Sequence, residues 1–404
     1  MKKFIHLGFG NQCLLALAGG LVFGIIAPKP LLSFVLPFGL VFLKLLKMII
    51  IPLTFTTIVS SFAKLESMEL LKKLGMKTLF WFLITAIIAS IVGVLIGTII
   101  NPAANLHINT FDIANYKARE VPSISTIFLD MIPGNIVQDI SNGKVIPIII
   151  FAVIFGIALT SLGDSVNKLR NFFHEFSSVM FKITRVIIRM SPIGIFALIA
   201  DVSSTYGLST LIPLTRFIFA IYIACIIQLI IYLLLVFFIA KKNPFIFLKQ
   251  FSPAMITAFT SSSSLGTLPV TLNSLINNVK IDKQVAGFVA PLGSTMKMDG
   301  CGAIYPAIVC ILTAYMFNID LSIQQYILII LTSAIATIGT AGVPGTASIM
   351  ATVVLISVNL PLEGLAIVIG IDKIIDMIRT MTNVTGCGVC SLLVDYSYKK
   401  DSQT

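Results

Sequence analysis

The sequence is poor in charged residues. Only 11% of its 404 residues are Asp, Glu, Lys or Arg, and 57% are hydrophobic. A soluble globular protein carries about 25% charged residues, so 17 acids and 28 bases cannot cover the surface of a soluble protein of this length. The scarcity excludes a cytosolic enzyme, a disordered chain and, despite a net charge of +11, a nucleic-acid-binding protein of the usual kind.

Histidine and paired cysteine are also scarce. The three histidines, His6, His107 and His174, lie outside the motifs described below. The six cysteines lie mostly in apolar runs, where Cys behaves as a small hydrophobic residue rather than as part of a disulfide framework. Cys387 and Cys390 have CxxC spacing, but no second pair completes a zinc site. Because GxSxG and HExxH motifs are missing as well, we expect neither an enzyme nor a cofactor.

Long apolar runs dominate the first part of the chain. A membrane-spanning helix needs roughly 20 predominantly apolar residues. Runs of this kind cover residues 8–28, 31–63, 78–100, 138–163, 178–200 and 210–240. The start, Met1-Lys2-Lys3 before an apolar run, is similar to a signal peptide, but no small-residue cleavage site follows, so we expect a retained first helix. The runs predict an all-α protein embedded in the lipid bilayer.

Lysine clusters give the predicted spans an orientation. The clusters lie at residues 2–3, 64–77, 241–249 and 399–400, and an even number of predicted crossings separates each cluster from the next. Basic residues favour the cytoplasmic side of a membrane. We therefore predict a multi-pass protein of the cell inner (plasma) membrane with both termini in the cytoplasm and the 101–125 loop outside.

Ser, Thr, Gly and Pro clusters interrupt the apolar runs of the second half. They lie at residues 261–269, 293–300 and 339–346. Non-helical backbone at membrane depth is tolerated only where protein buries it or where it lines a water-filled cavity. Segments 245–316 and 322–396 each have the pattern of a hairpin followed by a helix, which is typical of inverted repeats in secondary transporters. Ordinary kinks in spanning helices are the alternative, although the interruptions coincide with charged residues.

Charged residues remain in this apolar half, where a membrane makes them costly. Polar side chains at spacings of three to four share one face of the last predicted helix: Asp372, Asp376, Arg379, Thr380 and Asn383. Lys297 and Asp299 lie deep in an earlier predicted helix, and we expect them to face the same cavity. Ionisable groups inside a membrane usually mark a substrate or ion path. The alternative is an Asp376–Arg379 ion pair that only adjusts packing.

Four motifs carry a resemblance to one transporter family. They are the serine-rich stretch ending Gly266-Thr-Leu-Pro-Val-Thr271, Met298-Asp-Gly300, Ala341-Gly-Val-Pro-Gly345, and Asp376-Met-Ile-Arg379-Thr380-Met-Thr-Asn383-Val-Thr-Gly386. Over nearly its whole length the sequence resembles the dicarboxylate/amino acid:cation symporters, the glutamate transporter family, in its prokaryotic type. The resemblance implies eight transmembrane helices plus two re-entrant helical hairpins, in an elevator fold with inverted repeats, assembled as a homotrimer.

The resemblance also implies two domains. Residues 1–77 would form scaffold helices 1 and 2, and residues 126–206 scaffold helices 4 and 5. Residues 78–125 would hold helix 3 of the transport domain and an extracellular loop. Residues 207–404 would hold the rest of the transport domain, namely helix 6, hairpin 1, helix 7, hairpin 2 and helix 8. Movement of the transport domain against the scaffold would give alternating access, with the second hairpin as the extracellular gate.

By matching positions, the resemblance implies a site for an acidic amino acid, aspartate or glutamate. Asp376 would hold the ammonium group and Arg379 the side-chain carboxylate, because the planar guanidinium suits a carboxylate. The other implied substrate-binding positions are Ser263, Ser264, Cys301, Val343, Gly345, Thr380 and Asn383. Cys301 replaces a threonine of the family, and Ser262 and Met377 stand where some members carry an arginine. Cystine or a C4-dicarboxylate therefore remains an alternative substrate.

The positions that hold sodium in the family are altered. Where sodium-coupled members have Asn-Met-Asp-Gly-Thr, this sequence has Lys297-Met-Asp-Gly-Cys301; Cys387 replaces an aspartate and Phe82 a tyrosine. Sodium prefers oxygen ligands, so these changes remove one site and damage another. The other implied coupling positions are Thr85, Gly293, Met298, Asp299 and Asp372. A residual sodium site, largely of backbone carbonyls, would lie at Thr295, Met298, Thr337, Ile338 and Thr340.

Lys297 leads to a hypothesis about coupling. Its ammonium group would act as a tethered substitute for bound sodium and neutralise Asp299, and protonation of Lys297, Asp299 or Asp372 would couple transport to protons. We therefore predict a secondary active transporter of acidic amino acids that is proton-coupled or sodium-independent and uses no cofactor besides coupling H⁺ or Na⁺. A sodium-coupled symporter is the alternative. A channel is a weaker one, because selectivity filters need rings of oxygen or charge around an axis.

Overall fold

The computed structural model of the chain describes residues 9–63, 74–104, 129, 132–142, 145–206, 211–340 and 346–401. Throughout these ranges the regular elements are helices and no strand occurs. The predicted all-α class is therefore confirmed.

The helices of the first half follow the apolar runs. They are α1 (Phe9–Ile26), α2 (Lys29–Ala63), α3 (Met76–Ile100), α4 (Ile136–Ser141), α5 (Val145–Ser161), α6 (Asn167–Arg189) and α7 (Ser191–Tyr206). With 35 residues, α2 is about 52 Å long at a rise of about 1.5 Å per residue. The hydrocarbon core of a bilayer is only about 30 Å thick. A helix of this length is long enough to cross such a core at a strong tilt.

Two predicted runs are wrong in their boundaries. The run over 138–163 is divided into α4 and α5, since α4 ends at Ser141 and α5 begins at Val145. The sequence predicts a single helix over 178–200, whereas the structure has α6 and α7 with a turn at Met190 between them. Pro192, which has no N–H to donate, lies at the second position of α7, where a backbone N–H has no helical acceptor. The start of α6 is missed because charged residues such as Lys168 and Arg170 make its first turns amphipathic rather than apolar.

The second half repeats one arrangement. After α8 (Leu211–Phe238) come α9 (Pro244–Ser261), α10 (Ser264–Asn273), α11 (Lys283–Met296) and α12 (Tyr305–Met316), and then α13 (Ile323–Gly339), α14 (Thr346–Ser357), α15 (Glu363–Ile369) and α16 (Asp372–Asp401). Helices α9 and α10 pack against each other, and so do α13 and α14. The order of a helix pair followed by further helices thus occurs twice.

Two sets of helices pack mainly among themselves. In the first set, α1 packs against α7, and α2 packs against α5, α6 and α7. In the second set, α16 packs against α8, α9 and α11, while α3 packs against α8 and α13.

Four helical stretches of the described chain are long and apolar enough to cross a membrane. They are Met76–Ile100, Leu214–Phe238, Lys283–Met316 and Asp372–Lys400. In the last two stretches, 94% and 89% of the most apolar 18-residue segment is buried inside the protein, compared with 44% and 33% in the first two. The last two stretches therefore lie inside the protein, where charged side chains within a membrane are tolerated.

Asp395 fastens the far part of α16 to the start of α11. Its side chain is buried. Its Oδ1 accepts a hydrogen bond from the Asp282 N–H at 3.1 Å, and its Oδ2 accepts one from Lys399 Nζ at 2.7 Å. Asp282 in turn caps α11 by accepting a hydrogen bond from the Gln284 N–H at 2.8 Å. The Asp395 carboxylate thus connects α16 to the start of α11.

We expect Asp395→Ala to lower the free energy of unfolding by about 1.5–3 kcal/mol, because a hydrogen bond to a charged group is lost. Lys399→Gln is the matched control, since the Lys399 side chain is 53% exposed and an exposed ion pair contributes only about 0–1 kcal/mol. Thermal unfolding of the two variants in detergent measures the difference. Equal losses would show that the contact with Asp282 contributes nothing.

Candidate functional site

The connection between α9 and α10 forms the tip of a helical hairpin. Ser262 has the left-handed conformation (φ 51°, ψ 38°), which reverses the chain at the end of α9. Ser263 then caps α10, because its hydroxyl oxygen accepts a hydrogen bond from the Gly266 N–H at 3.0 Å. Ser264 is buried, with its Oγ 3.8 Å from Met298 Sδ. The serine-rich tip therefore lies against the region where the following long helix is interrupted.

This interruption lies between α11 and α12. Lys297 (φ −105°, ψ 80°) and Met298 (φ −115°, ψ 54°) are not helical. A π-helical turn, Asp299–Ile304, follows and leads into α12. The predicted interruption at 293–300 is thus present, and it lies in buried protein.

Gly300 brings the interruption into direct contact with α16. Its N–H donates a hydrogen bond to Asn383 Oδ1 at 2.7 Å. A Cβ atom at this position would lie 2.5 Å from the Arg379 carbonyl oxygen. Only glycine fits this close approach, and the approach places α16 side chains beside the π-helical turn.

Arg379 lies at the centre of a buried group of charges. Its Nη2 donates hydrogen bonds to Asp372 Oδ1 at 2.6 Å and to Asp376 Oδ1 at 3.1 Å. Its guanidinium carbon lies 4.2 Å from the ring centroid of Tyr305, within the range of a cation–π interaction. We call these four residues the Arg379 cluster. The Asp376–Arg379 ion pair that the spacing allowed is present, and Asp372 approaches Arg379 more closely.

The remaining donors of Arg379 are unsatisfied. The side chain is fully buried, yet its Nε and Nη1 atoms have no hydrogen-bond acceptor in the part of the chain that the structure describes. A buried donor without an acceptor costs about 1–3 kcal/mol, and more when it is charged. The arrangement can therefore receive an anionic oxygen, as guanidinium groups do in carboxylate recognition.

Cys301 and Asn383 connect the π-helical turn to the Arg379 cluster. Asn383 Nδ2 lies 3.1 Å from Cys301 Sγ, and Cys301 Sγ lies 3.7 Å from Asp376 Oδ1. Thr380 is also buried on α16. The structure thus brings Cys301, Asp376, Arg379 and Asn383 into one connected group.

A second group of charges lies beside Gly386 of α16. Lys297 Nζ forms an ion pair with Asp299 Oδ2, and both side chains are fully buried. The Tyr232 hydroxyl donates to Asp299 Oδ2 at 2.6 Å and accepts from Lys297 Nζ at 3.0 Å. We call Tyr232, Lys297 and Asp299 the Lys297 cluster. A Cβ at Gly386 would lie 2.5 Å from Lys297 Nζ, so the cluster fits only against glycine.

Three of the predicted coupling positions meet at Gly293. A Cβ at this glycine would lie 3.2 Å from Phe82 Cζ and in contact with Cys387 Sγ. Thr85 lies one turn further along α3, where its carbonyl oxygen accepts a hydrogen bond from Gln228 Nε2 at 3.4 Å. An aromatic ring and a thiol therefore face the position at which the family resemblance would place sodium ligands, and sodium prefers oxygen.

The positions of the predicted residual sodium site lie near the end of α11 (Thr295), in the interruption that follows it (Met298) and at the end of α13 (Thr337, Ile338 and Thr340). A Cβ at Gly302 of the π-helical turn would lie 2.6 Å from Thr337 Cα and 2.7 Å from Thr340 Oγ1. The hydroxyls of Thr337 and Thr340 donate to carbonyls of α13, both at 2.7 Å, and the Thr295 hydroxyl donates to a carbonyl of α11 at 2.9 Å. Ile338 is partly buried. Thr337 and Thr340 thus lie directly against the turn, with their hydroxyl hydrogens turned towards their own helix.

Two predicted site residues, Val343 and Gly345, lie outside the described residues. Three residues that the sequence reasoning did not select also contact the site. Tyr232 and Tyr305 occur in apolar runs, where their only signal is that a buried tyrosine hydroxyl usually finds a partner. Lys373 lies one helical turn before Asp376, so the spacing rule that selected the acidic residues would have found it.

The structure has a long helix that is interrupted, helices that pair as a hairpin within apolar segments, and a polar site buried between these elements. This combination defines a secondary transporter of the membrane. The comparison with known families agrees. Residues 9–397 match the Sodium:dicarboxylate symporter family, and the chain belongs to this family, which consists of transporters and not of enzymes.

Three bacterial proteins illustrate the similarity. The chain is 32% identical over 398 residues to the Proton/sodium-glutamate symport protein of Geobacillus stearothermophilus, covering 96% of this chain and 94% of that protein. It is 32% identical over 368 residues to the Proton/glutamate-aspartate symporter of Escherichia coli (strain K12), covering 89% and 84%. It is 32% identical over 401 residues to the C4-dicarboxylate transport protein of Erwinia tasmaniensis, covering 98% and 94%.

Proposed function

We propose that this protein is a secondary active transporter of acidic amino acids, aspartate or glutamate. The observation that carries the proposal is Arg379, which is fully buried and still has two donor nitrogens without an acceptor among the described residues. A substrate carboxylate would satisfy these donors. Two of the similar proteins are named for glutamate or for glutamate and aspartate, which agrees with this chemistry.

Asp376 supports an amino acid rather than a simple acid. It shares the Arg379 guanidinium with Asp372, so two carboxylates face one cation. A substrate ammonium would supply a second cation for Asp376, while its carboxylates would take the free donors of Arg379. In this arrangement Asn383 and Thr380, with Ser263 and Ser264, hold the α-carboxylate and orient the ligand. Val343 and Gly345 are further substrate-binding positions.

A C4-dicarboxylate is the second candidate substrate. One similar protein is named as a C4-dicarboxylate transport protein, and Cys301 offers a thiol next to Asp376 instead of a hydroxyl. Such a substrate has no ammonium group to place beside Asp376, which shares its ion pair to Arg379 with Asp372, and incompletely compensated buried charge is unfavourable. The amino acid therefore remains the better fit.

We further propose that Lys297 replaces a bound sodium ion. Its ion pair with Asp299 is fully buried, so the ammonium group compensates this carboxylate permanently. Asp299 Oδ1 accepts no hydrogen bond among the described residues. Transport would then be proton-coupled or sodium-independent. Sodium binding at Thr295, Met298, Thr337, Ile338 and Thr340 is the alternative.

The family resemblance extends the proposal to the whole assembly. We propose eight membrane spans and two re-entrant hairpins, with both termini cytoplasmic in the inner membrane, and a homotrimer whose transport domains move as elevators against the scaffold. Two such domains are supported by the packing, because two sets of helices pack mainly among themselves. The first set is α1, α2, α5, α6 and α7, and the second is α3, α8, α9, α11, α13 and α16.

Uptake into proteoliposomes tests the proposal. Radiolabelled aspartate, glutamate, cystine and succinate are offered under a proton gradient without sodium, and under a sodium gradient at equal pH. We expect accumulation of aspartate or glutamate under the proton gradient alone. Uptake of none of the four would contradict the transported class, and a strict requirement for sodium would contradict the role of Lys297. Unitary currents without concentrative uptake would indicate a channel.

A further inference from the structure

A lysine to which the proposed function assigns no role lies at the first hairpin tip. Lys373 is in the first turn of α16, and its Nζ donates a hydrogen bond to Ser262 Oγ at 3.1 Å. Ser262 is buried and has the left-handed conformation that ends α9. The ammonium group is therefore held across the gap between α16 and the hairpin.

The charge of Lys373 is not used in an ion pair. Its neighbours on α16, Asp372 and Asp376, both direct an Oδ1 atom to Arg379. No ion pair to Lys373 occurs in the part of the chain that the structure describes. An ammonium group has three donors, and Ser262 takes one of them.

Lys373 balances the local charge. Asp372 and Asp376 carry two negative charges next to the single positive charge of Arg379, and Lys373 lies on the same helix within one turn of both acids. Without it, an anionic substrate would approach a site with a net negative charge. With it, the four side chains are neutral overall.

We propose that Lys373 is a specificity-determining residue that lets the site accept substrates with net negative charge. The inference rests on the proposed function of the Arg379 cluster. Its consequence depends on substrate charge: removing the lysine charge weakens binding of a dianion such as succinate more than that of aspartate, which carries one net negative charge. The interaction energy of Lys373 with the substrate is proportional to the substrate's charge.

A purely structural role for Lys373 has a different signature. A cation near the last carbonyls of α9 also stabilises that helix end, and the hydrogen bond to Ser262 ties the hairpin to α16. Such a role would depend on the hydrogen bond and would be indifferent to substrate charge. Ser262→Ala removes the hydrogen bond and keeps the charge, whereas Lys373→Met removes both.

The test measures KM and kcat for aspartate and succinate in proteoliposomes. For Lys373→Met we expect KM to rise about tenfold for aspartate and about 100-fold for succinate, because the interaction energy doubles when the substrate charge doubles. We expect kcat to change little. Lys373→Arg and Ser262→Ala should keep both KM values near those of the unchanged protein. Lys283→Met, which removes an exposed lysine at the start of α11, controls for net charge. If Lys373→Met does not fold, Lys373→Gln makes the same charge change.

The results distinguish a failure of the proposed function from a failure of the inference about Lys373. If the unchanged protein transports none of aspartate, glutamate and succinate, the proposed function fails. If it transports at least one of aspartate and succinate, the acid that is not transported is measured by its inhibition constant. If Lys373→Met then shifts the constants of the two acids equally or not at all, the inference about Lys373 is overturned. Equal losses in Ser262→Ala and Lys373→Met would assign the lysine to the hairpin structure alone.

Discussion

Arg379→Lys is expected to lower the affinity for aspartate or glutamate by about 30- to 4,000-fold, because losing the hydrogen bonds of a buried charged group costs about 2–5 kcal/mol and about 1.4 kcal/mol corresponds to a tenfold change. Lysine keeps the positive charge but loses the planar group that reaches Asp372 and Asp376 together and stacks on Tyr305. It also loses the two donors that remain for a substrate carboxylate.

Binding of radiolabelled aspartate to the purified protein measures this effect directly, and uptake into proteoliposomes measures its consequence for transport. Arg189→Lys is the matched control, because Arg189 is exposed at the end of α6. Thermal unfolding of both variants shows whether the protein remains folded. An Arg379→Lys variant that is folded and binds aspartate with unchanged affinity would remove Arg379 from the substrate site.

The placement of Arg379 on one face with Asp376 and Asn383 follows from the sequence, because helical spacing determines which side chains of one helix lie together. Spacing says nothing about neighbours on other helices. The stacking of Arg379 on Tyr305 depends on how the π-helical turn that leads into α12 packs against α16, and the sequence has no periodic signal for that contact.

The helices also differ in how well the sequence predicts them. Apolar runs predict α1, α2, α3 and α8 within a few residues, because nearly every position in these helices is apolar. The first turns of α6 are missed because their charged face lowers the local hydropathy. Interruptions are predictable as well, since serine, glycine and proline at membrane depth require a protected backbone.

The Lys297 cluster marks the limit of the sequence reasoning. That Lys297 and Asp299 are buried and lie close together is predictable from their position in an apolar segment. Their contact with Tyr232 is not, because this residue comes from α8, some 65 positions earlier in the chain. Glycine at 386 has no evident local reason in the sequence, and the structure gives one: it leaves room for the lysine.

Lys297→Asn is expected to reduce sodium-free uptake by about 100-fold or more, because removing one partner of a buried ion pair costs about 3–5 kcal/mol. Asp299 would then keep only the Tyr232 hydroxyl as a donor at 2.6 Å, and its negative charge would have no compensating cation. Sodium can enter a site that offers a carboxylate and an amide oxygen. We therefore expect added sodium to restore part of the uptake in this variant.

The double variant Lys297→Asn/Asp299→Asn separates charge compensation from packing. It removes both charges, and replacing both members of a buried ion pair is often nearly neutral for stability, so its uptake should be indifferent to sodium. Lys283→Asn, which changes an exposed lysine at the start of α11, should behave as the unchanged protein. The measurement is initial uptake at one fixed pH over a series of sodium concentrations. Uptake by Lys297→Asn that is unchanged and independent of sodium would show that the ammonium group does not stand in for a bound cation.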